Sequence, residues 1–476
     1  MRGFWGILLL LLLVSPLAAD ERQNVRVLYC GDPGSIRETD FHAFLARHFT
    51  RVTLRDLHEF REQDANEHDV VIFDWSYLYD GKGGFDEKKQ ERLRTLHQKH
   101  QLPSLSRKFS RPAILVAQTG GAVSQPLKLK IDWLCLCLTG PAHHLRLKHP
   151  LFHTPLEVAP KLEEVPTPEN YPYLTIDPAL GPTMQVWNLQ TKNYPEIDPG
   201  LVSTLYGFAD SPDAEVIAQG FAMKGPDTLT LGRQANFFLW GFSAPPADMT
   251  PAAQRLFVNA VCYMRQFDGQ TPLVRSESKA RDWALRWAAT PRYFLGDFEP
   301  RKTQMLRAMY KQHPEWIPKE HVRNLDTYIL EQVKQTQEQN KSWMEQVLPE
   351  DLRKKFGLDA DKYAAYYKEN FEFLYPKGER PTQFVIDEDV KAVGPSNRRV
   401  ELLDRCVTKL EKKQRADLAL RLLKRYTKEN FETAPQWRKW LDQNRSRLFF
   451  SDVGGYKFFV GPAVNSSGQN RLQTKS

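Results

Sequence analysis

The sequence predicts an α/β fold, a doubly wound and mostly parallel sheet in the N-terminal half, followed by a mainly α-helical C-terminal region ending in a β-hairpin. Three observations carry this. Short, nearly unbroken apolar runs (VRVLYC, DVVIF, PAILVA) alternate with amphipathic stretches, as expected of strands buried on both faces. From Ser276 onward the pattern changes to long charged stretches with apolar residues three and four apart, the spacing of packed helices. Near the end, LFFSDVGGYKFFV sets two aromatic runs around Gly454 and Gly455, a hairpin signal.

The elements follow in order. Arg2, the apolar run Phe4 to Val14 and the small residues Ala18 and Ala19 have the three-part layout of a secretory signal peptide over 1–19. The run is short for a membrane span, and no later segment approaches one. After the first strand, TDFHAFLARHF predicts a helix with Phe41, Phe44 and Leu45 on one face and Thr39 as N-cap. RVTLRDL and DVVIFDW predict two strands, Asp86 to His100 a charged helix, PAILVAQ a strand and Trp133 to Leu138 another. AEVIAQGFAM and TLTLGRQANFFLWGF predict two strands joined at KGPD, and Thr250 with Pro251 opens a helix that closes an α/β domain spanning 20–270. Beyond it lie a helical domain over 275–376, a connector over 377–398, a helical segment with the terminal hairpin over 399–462, and a disordered tail over 463–476.

Composition bounds the function. A net charge of +8 invites a nucleic-acid reading, but the basic residues alternate with acids in EKKQERLRTLHQKH and RKTQMLRAMYKQHPEWIPKE, as on solvated helix faces. Nucleic acid is therefore set aside. Five cysteines (Cys30, Cys135, Cys137, Cys262, Cys406), without a CxxC spacing, predict buried free thiols rather than a disulfide scaffold. No Walker loop, HExxH or GxGxxG occurs, and no cofactor is expected.

In such sheets ligands collect outside the carboxyl ends of the strands. Those ends supply the candidate ligand-binding residues Asp32, Asp74, Trp75, Gln118, Thr119, Gly120 and Gly121. The densest histidine cluster, His143, His144, His149 and His153 in GPAHHLRLKHPLFHTP, is a weak metal candidate: its spacing matches no standard finger, and Pro150 interrupts any helix aligning His149 with His153. Hydrogen-bonding histidines in a structured loop are the expectation.

The order of these pieces resembles the class I glutamine amidotransferase-like superfamily, and within it the ThuA-like (trehalose-utilisation-like) branch, over residues 24 to 267. The likeness rests on PAILVAQTGGAVS at the strand-to-helix elbow, on His149 and Pro150, and on ANFFLWGFSAPPADMTPAAQRLFVNAVCYM. The resemblance implies a thiolate at the elbow within Gly-x-Cys-x-Gly, activated by a histidine. Here Ala117, Gln118, Thr119, Gly120 and Gly121 stand there, Cys135 and Cys137 lack flanking glycines, and the only His-x-Glu, His313 to Glu315, lies far beyond the sheet. No catalytic triad is identifiable. The C-terminal half, ending in FFSDVGGYKF, is loosely similar to helical modules of large exported proteins of planctomycete-type bacteria.

The expectation is an exported bacterial protein, periplasmic or extracellular, whose amidotransferase-like domain is catalytically degenerate and binds a carbohydrate or cell-envelope fragment, or scaffolds a protein partner. One alternative is a sugar-active hydrolase or isomerase using Asp32 or Asp74 with a histidine of the 143–153 loop. A second is a purely structural assembly protein.

Overall fold

A computed structural model describes residues 22–75, 105–131, 137–177, 179–192, 199–296, 298–378 and 383–463. The expected signal peptide, the helix over 86–100, most of the strand over 133–138 and the tail beyond 463 lie outside the described residues.

The chain opens with β1 (Gln23–Gly31), α1 (Ile36–His48), β2 (Phe49–Asp56), β3 (Val70–Trp75), β4 (Ala113–Ala117) and α2 (Thr119–Leu127). It continues through β5 (Leu138–His143), β6 (Leu162–Pro166), β7 (Thr183–Trp187), β8 (Ser203–Thr204), β9 (Ala214–Ala222), β10 (Thr228–Leu229), β11 (Leu231–Gln234), β12 (Phe237–Trp240) and α3 (Pro251–Met264). One sheet of ten strands has the order β2-β1-β3-β4-β12-β11-β9-β5-β7-β6. The first five strands are parallel, and each later pair is antiparallel. The reason is local. Ala235 (φ 49°) and Asn236 join β11 to β12, and a two-residue loop can only reverse a strand. The Asn236 amide nitrogen anchors that turn on the carbonyls of Phe109 and Arg111. TLTLGRQANFFLWGF is thus three strands rather than the single one expected.

Helices cover both faces. Phe41, Phe44 and Leu45 of α1 join Phe257 and Val261 of α3 in one core, while Val123 and Leu127 of α2 pack with Val71, Phe73 and Leu115 in another. Each such fully buried side chain contributes roughly 1.5–3 kcal/mol. Helix α1 starts earlier than Thr39: Ser35 accepts from the Glu38 N–H and the Glu38 carboxylate accepts from the Gly34 N–H, closing a Ser-x-x-Glu cap.

The C-terminal half contains α4 (Asp282–Pro291), a π turn (Arg292–Gly296), α5 (Phe298–Gln312), α6 (Leu325–Val347), α7 (Glu350–Phe356), α8 (Ala360–Glu369), β13 (Leu374–Pro376) paired with β14 (Phe384–Ile386), α9 (Glu388–Val393), α10 (Val400–Glu411), α11 (Ala416–Tyr426) and α12 (Ala434–Asn444). The stretch read as a connector thus carries β14 and α9. Its core gathers Tyr363, Leu402, Leu422 and Trp437. The expected hairpin, β15 (Leu448–Ser451) with β16 (Lys457–Val460), follows.

The hairpin's loop fastens this half to the sheet. Asp210 accepts hydrogen bonds from Lys130, from the Ser451 hydroxyl and from the Val453 N–H, and Val453 packs on Tyr206. Arg281 and Asp452 form a buried fork-to-fork ion pair. A Cβ on Gly454 would stand 2.6 Å from the Phe459 ring, so the turn needs glycine.

Cys30, Cys262 and Cys406 are free thiols. Cys137 is disulfide-bonded, which corrects the free-thiol expectation there: oxidation depends on which sulfurs meet in space. Among the described residues, no helix is long and apolar enough to cross a membrane.

Candidate functional site at the carboxyl ends of the parallel strands

Strands β3 and β4 end side by side, with Asp74 opposite Val116 and Trp75 opposite Ala117. The chain leaves β4 for α2 through Ala117, a non-glycine residue at φ 49°, within the left-handed region. A strand, a left-handed residue and a helix in succession make the sharp turn that elsewhere projects a nucleophile. Here the residue is a fully buried alanine, and its methyl group has no lone pair to offer. Gly120 lets α2 lie close to the sheet, since a Cβ there would stand 2.7 Å from Leu239 Cδ1.

Asp74 is 2% exposed and both its oxygens are engaged. Arg37 grips it with Nε at 2.6 Å and Nη2 at 2.7 Å, and the Tyr29 hydroxyl donates at 2.6 Å. The third guanidinium nitrogen donates to the Ser243 carbonyl beyond β12, so Arg37 spans the strand ends. Burial opposes the charge on Arg37, but Asp74 outweighs it and the guanidinium pKa is raised. Burial, then the Asp74 charge, pushes the Tyr29 phenol well above its ordinary value. The ion pair carries no net charge.

Gln118, between Ala117 and α2, is 6% exposed, and among the described residues neither its amide oxygen nor its amide nitrogen has a hydrogen-bond partner. An amide buried in that condition forfeits about 1–3 kcal/mol for each orphaned group. The Gln118 carbonyl already accepts from the Gly121 and Ala122 N–H groups of α2, while its side chain makes no cap to the helix. Thr119 is not poised as a nucleophile: its hydroxyl lies 2.8 Å from the carbonyl oxygens of both Phe73 and Val116, stitching β3 to the elbow.

The structure therefore brings Asp74, Trp75, Gln118 and Thr119 to adjacent strand ends, with Gly120 and Gly121 in the first turn of α2. Asp32 follows β1, exposed, its carbonyl accepting from the Ser35 N–H in the turn into α1. Arg37 and Tyr29 escaped the sequence reading, because an arginine in the first turn of an amphipathic helix looks solvated.

The four histidines part company. His143 is buried, and burial followed by the neighbouring His144 lowers its pKa to about 3. Its Nε2 lies 3.2 Å from the Gly220 carbonyl and its Nδ1 2.6 Å from Nδ1 of His144. His153 is exposed and bonds Glu157. His149 accepts from the Leu151 N–H and faces Glu215 and Tyr263. Burial would raise the Glu215 pKa, but hydrogen bonds from Arg233 and His149 hold it far below the usual carboxylate range. Glu215 opens β9, which runs parallel to β4, whereas the elbow closes β4, so this network sits toward the opposite ends of the strands. Among the described residues, no group of three or more His, Cys, Asp or Glu could hold a metal.

No protein-family model matches the chain, and no curated protein does. Among solved structures, the chain is similar to a protein from Thermoplasma acidophilum described as a subunit of GMP synthase, with 11% identity and a TM-score of 0.24, over 52% of this chain and 97% of that one.

Proposed function

We propose that this is an exported bacterial binding protein in which an amidotransferase-like domain of ThuA-like descent has no thiol catalysis and holds an uncharged carbohydrate or cell-envelope fragment at the strand ends. The observation that carries the reading is Gln118, a buried amide that both donates and accepts and has no partner among the described residues. It lies one residue beyond the elbow position, which alanine occupies. The neighbouring Arg37–Asp74 pair cancels its own charge, which favours a neutral ligand over an ionic one. Hydroxyl groups, which donate and accept alike, match an amide that does the same.

A carboxylate-driven hydrolase is the weaker reading, since Asp74 would have to leave a bidentate arginine and a phenol before moving a proton. The test is thermal unfolding of the purified protein against envelope sugars and peptidoglycan fragments. A ligand at about 100 times its Kd adds roughly 2.7 kcal/mol. That gain should vanish in Gln118→Leu; a gain that persists there places the ligand elsewhere and sinks the reading.

A further inference from the structure

Away from the sheet, a run of aromatic rings crosses the helical half without being sealed into its core. Trp283 and Trp287 of α4 lie with ring centroids 6.4 Å apart, Trp287 meets Trp343 of α6 at 5.7 Å, Trp343 meets Phe294 of the π turn at 5.1 Å, and Phe294 meets Tyr293 at 4.8 Å. Helical spacing alone would bury such a stripe. Instead Trp343 is 37% exposed, and Trp283, Trp287, Tyr293 and Phe294 are half-buried. The π turn Arg292–Gly296 interrupts the helical register at the middle of the run.

Two donors along this run are buried without an acceptor among the described residues: the indole N–H of Trp287 and one guanidinium nitrogen of Arg301. Arg301 lies over the Tyr293 ring, 4.4 Å from its centroid. Orphaned donors are costly unless something supplies oxygen. Ring faces are electron-rich and repel an anion, while Arg301 already occupies the position a cation would take. What remains is an uncharged molecule with C–H faces to stack on indoles and oxygens to accept from N–H groups.

We propose that this aromatic run is a second carbohydrate site, in which a pyranose stacks on Trp343 beside Trp287 and a hydroxyl oxygen accepts from Trp287 Nε1. It shares the ligand class of the strand-end site but none of its residues, so either can fail alone.

The test is isothermal titration with tryptophan fluorescence, adding cellotetraose, maltotetraose or chitotetraose up to roughly 10 mM, a range that detects even weak sites. At least one should bind and perturb the fluorescence. Trp343→Ala should weaken it at least about tenfold and Trp287→Phe, which keeps a ring and removes the N–H, about fivefold. Circular dichroism checks that Trp343→Ala folds; if it does not, Trp287→Phe decides. The proposal is overturned if no oligosaccharide binds, if binding survives the decisive variant, or if Gln118→Leu alone abolishes it, which would assign the sugar to the strand ends.

Discussion

Replacing Gln118 by leucine should make the unliganded protein more stable while abolishing ligand binding at the strand ends. The two side chains are similar in size, so the cavity changes little. The wild-type amide carries two buried polar atoms without partners among the described residues, each at a desolvation cost of about 1–3 kcal/mol, and leucine removes both. Allowing for water that reaches the amide in solution, a net gain of about 2 kcal/mol is expected. For a chain of this size that raises Tm by roughly 2 °C. Differential scanning calorimetry without ligand measures the gain, and calorimetric titration with envelope sugars measures the loss of binding. Such a trade of stability against binding marks a site held in readiness for a ligand. If Gln118→Leu instead lowers stability by more than about 1 kcal/mol, the amide is a structural hydrogen-bonding group and the binding argument collapses.

Other expectations are more local. Burial, then the charge of Asp452, lifts the Asp282 carboxyl from 3.8 to about 6. The folded state therefore binds this proton more tightly than the unfolded chain, a stabilisation complete below the ordinary carboxylate pKa and lost as pH rises through about 6. Wild-type stability should fall by about 1–3 kcal/mol between pH 4 and pH 7 on this account, and Asp282→Asn should flatten that slope in urea titrations across pH. Arg281→Ala leaves Asp452 buried without its partner and should cost about 3–5 kcal/mol, with the hairpin loop losing hydrogen-exchange protection first. Asp74→Ala should cost a similar amount, roughly 3–5 kcal/mol, by stranding Arg37; a near-neutral effect on unfolding would show that the pair does not clamp the strand ends. Thiol titration of the unfolded, unreduced protein should find Cys30, Cys262 and Cys406 reactive and Cys137 not.

The apolar runs of β1, β3 and β4, the alternation of strands with helices and the GG turn of the hairpin were legible because each is a local consequence of side-chain period and turn chemistry. So was the lack of a thiol at the elbow, since Ala117 can be read directly from the chain. The change from parallel to antiparallel pairing at β12 was not: Ala235 and Asn236 lack the glycine that usually marks a two-residue turn, and only the packed sheet holds Ala235 at positive φ.

The candidate site divides the same way. Sequence by itself determined which residue types end the strands, because strand ends follow from hydrophobic pattern. Tertiary structure decided their roles. Asp74 became half of a neutral pair because α1 carries Arg37 over the sheet from 37 positions away. Thr119 became a stitch to Phe73, and Gln118 was left with its amide buried and without a hydrogen-bond partner among the described residues. Local pattern follows from neighbours along the chain, whereas a polar group's hydrogen-bond partners are set by neighbours in space, and no period in the sequence encodes them.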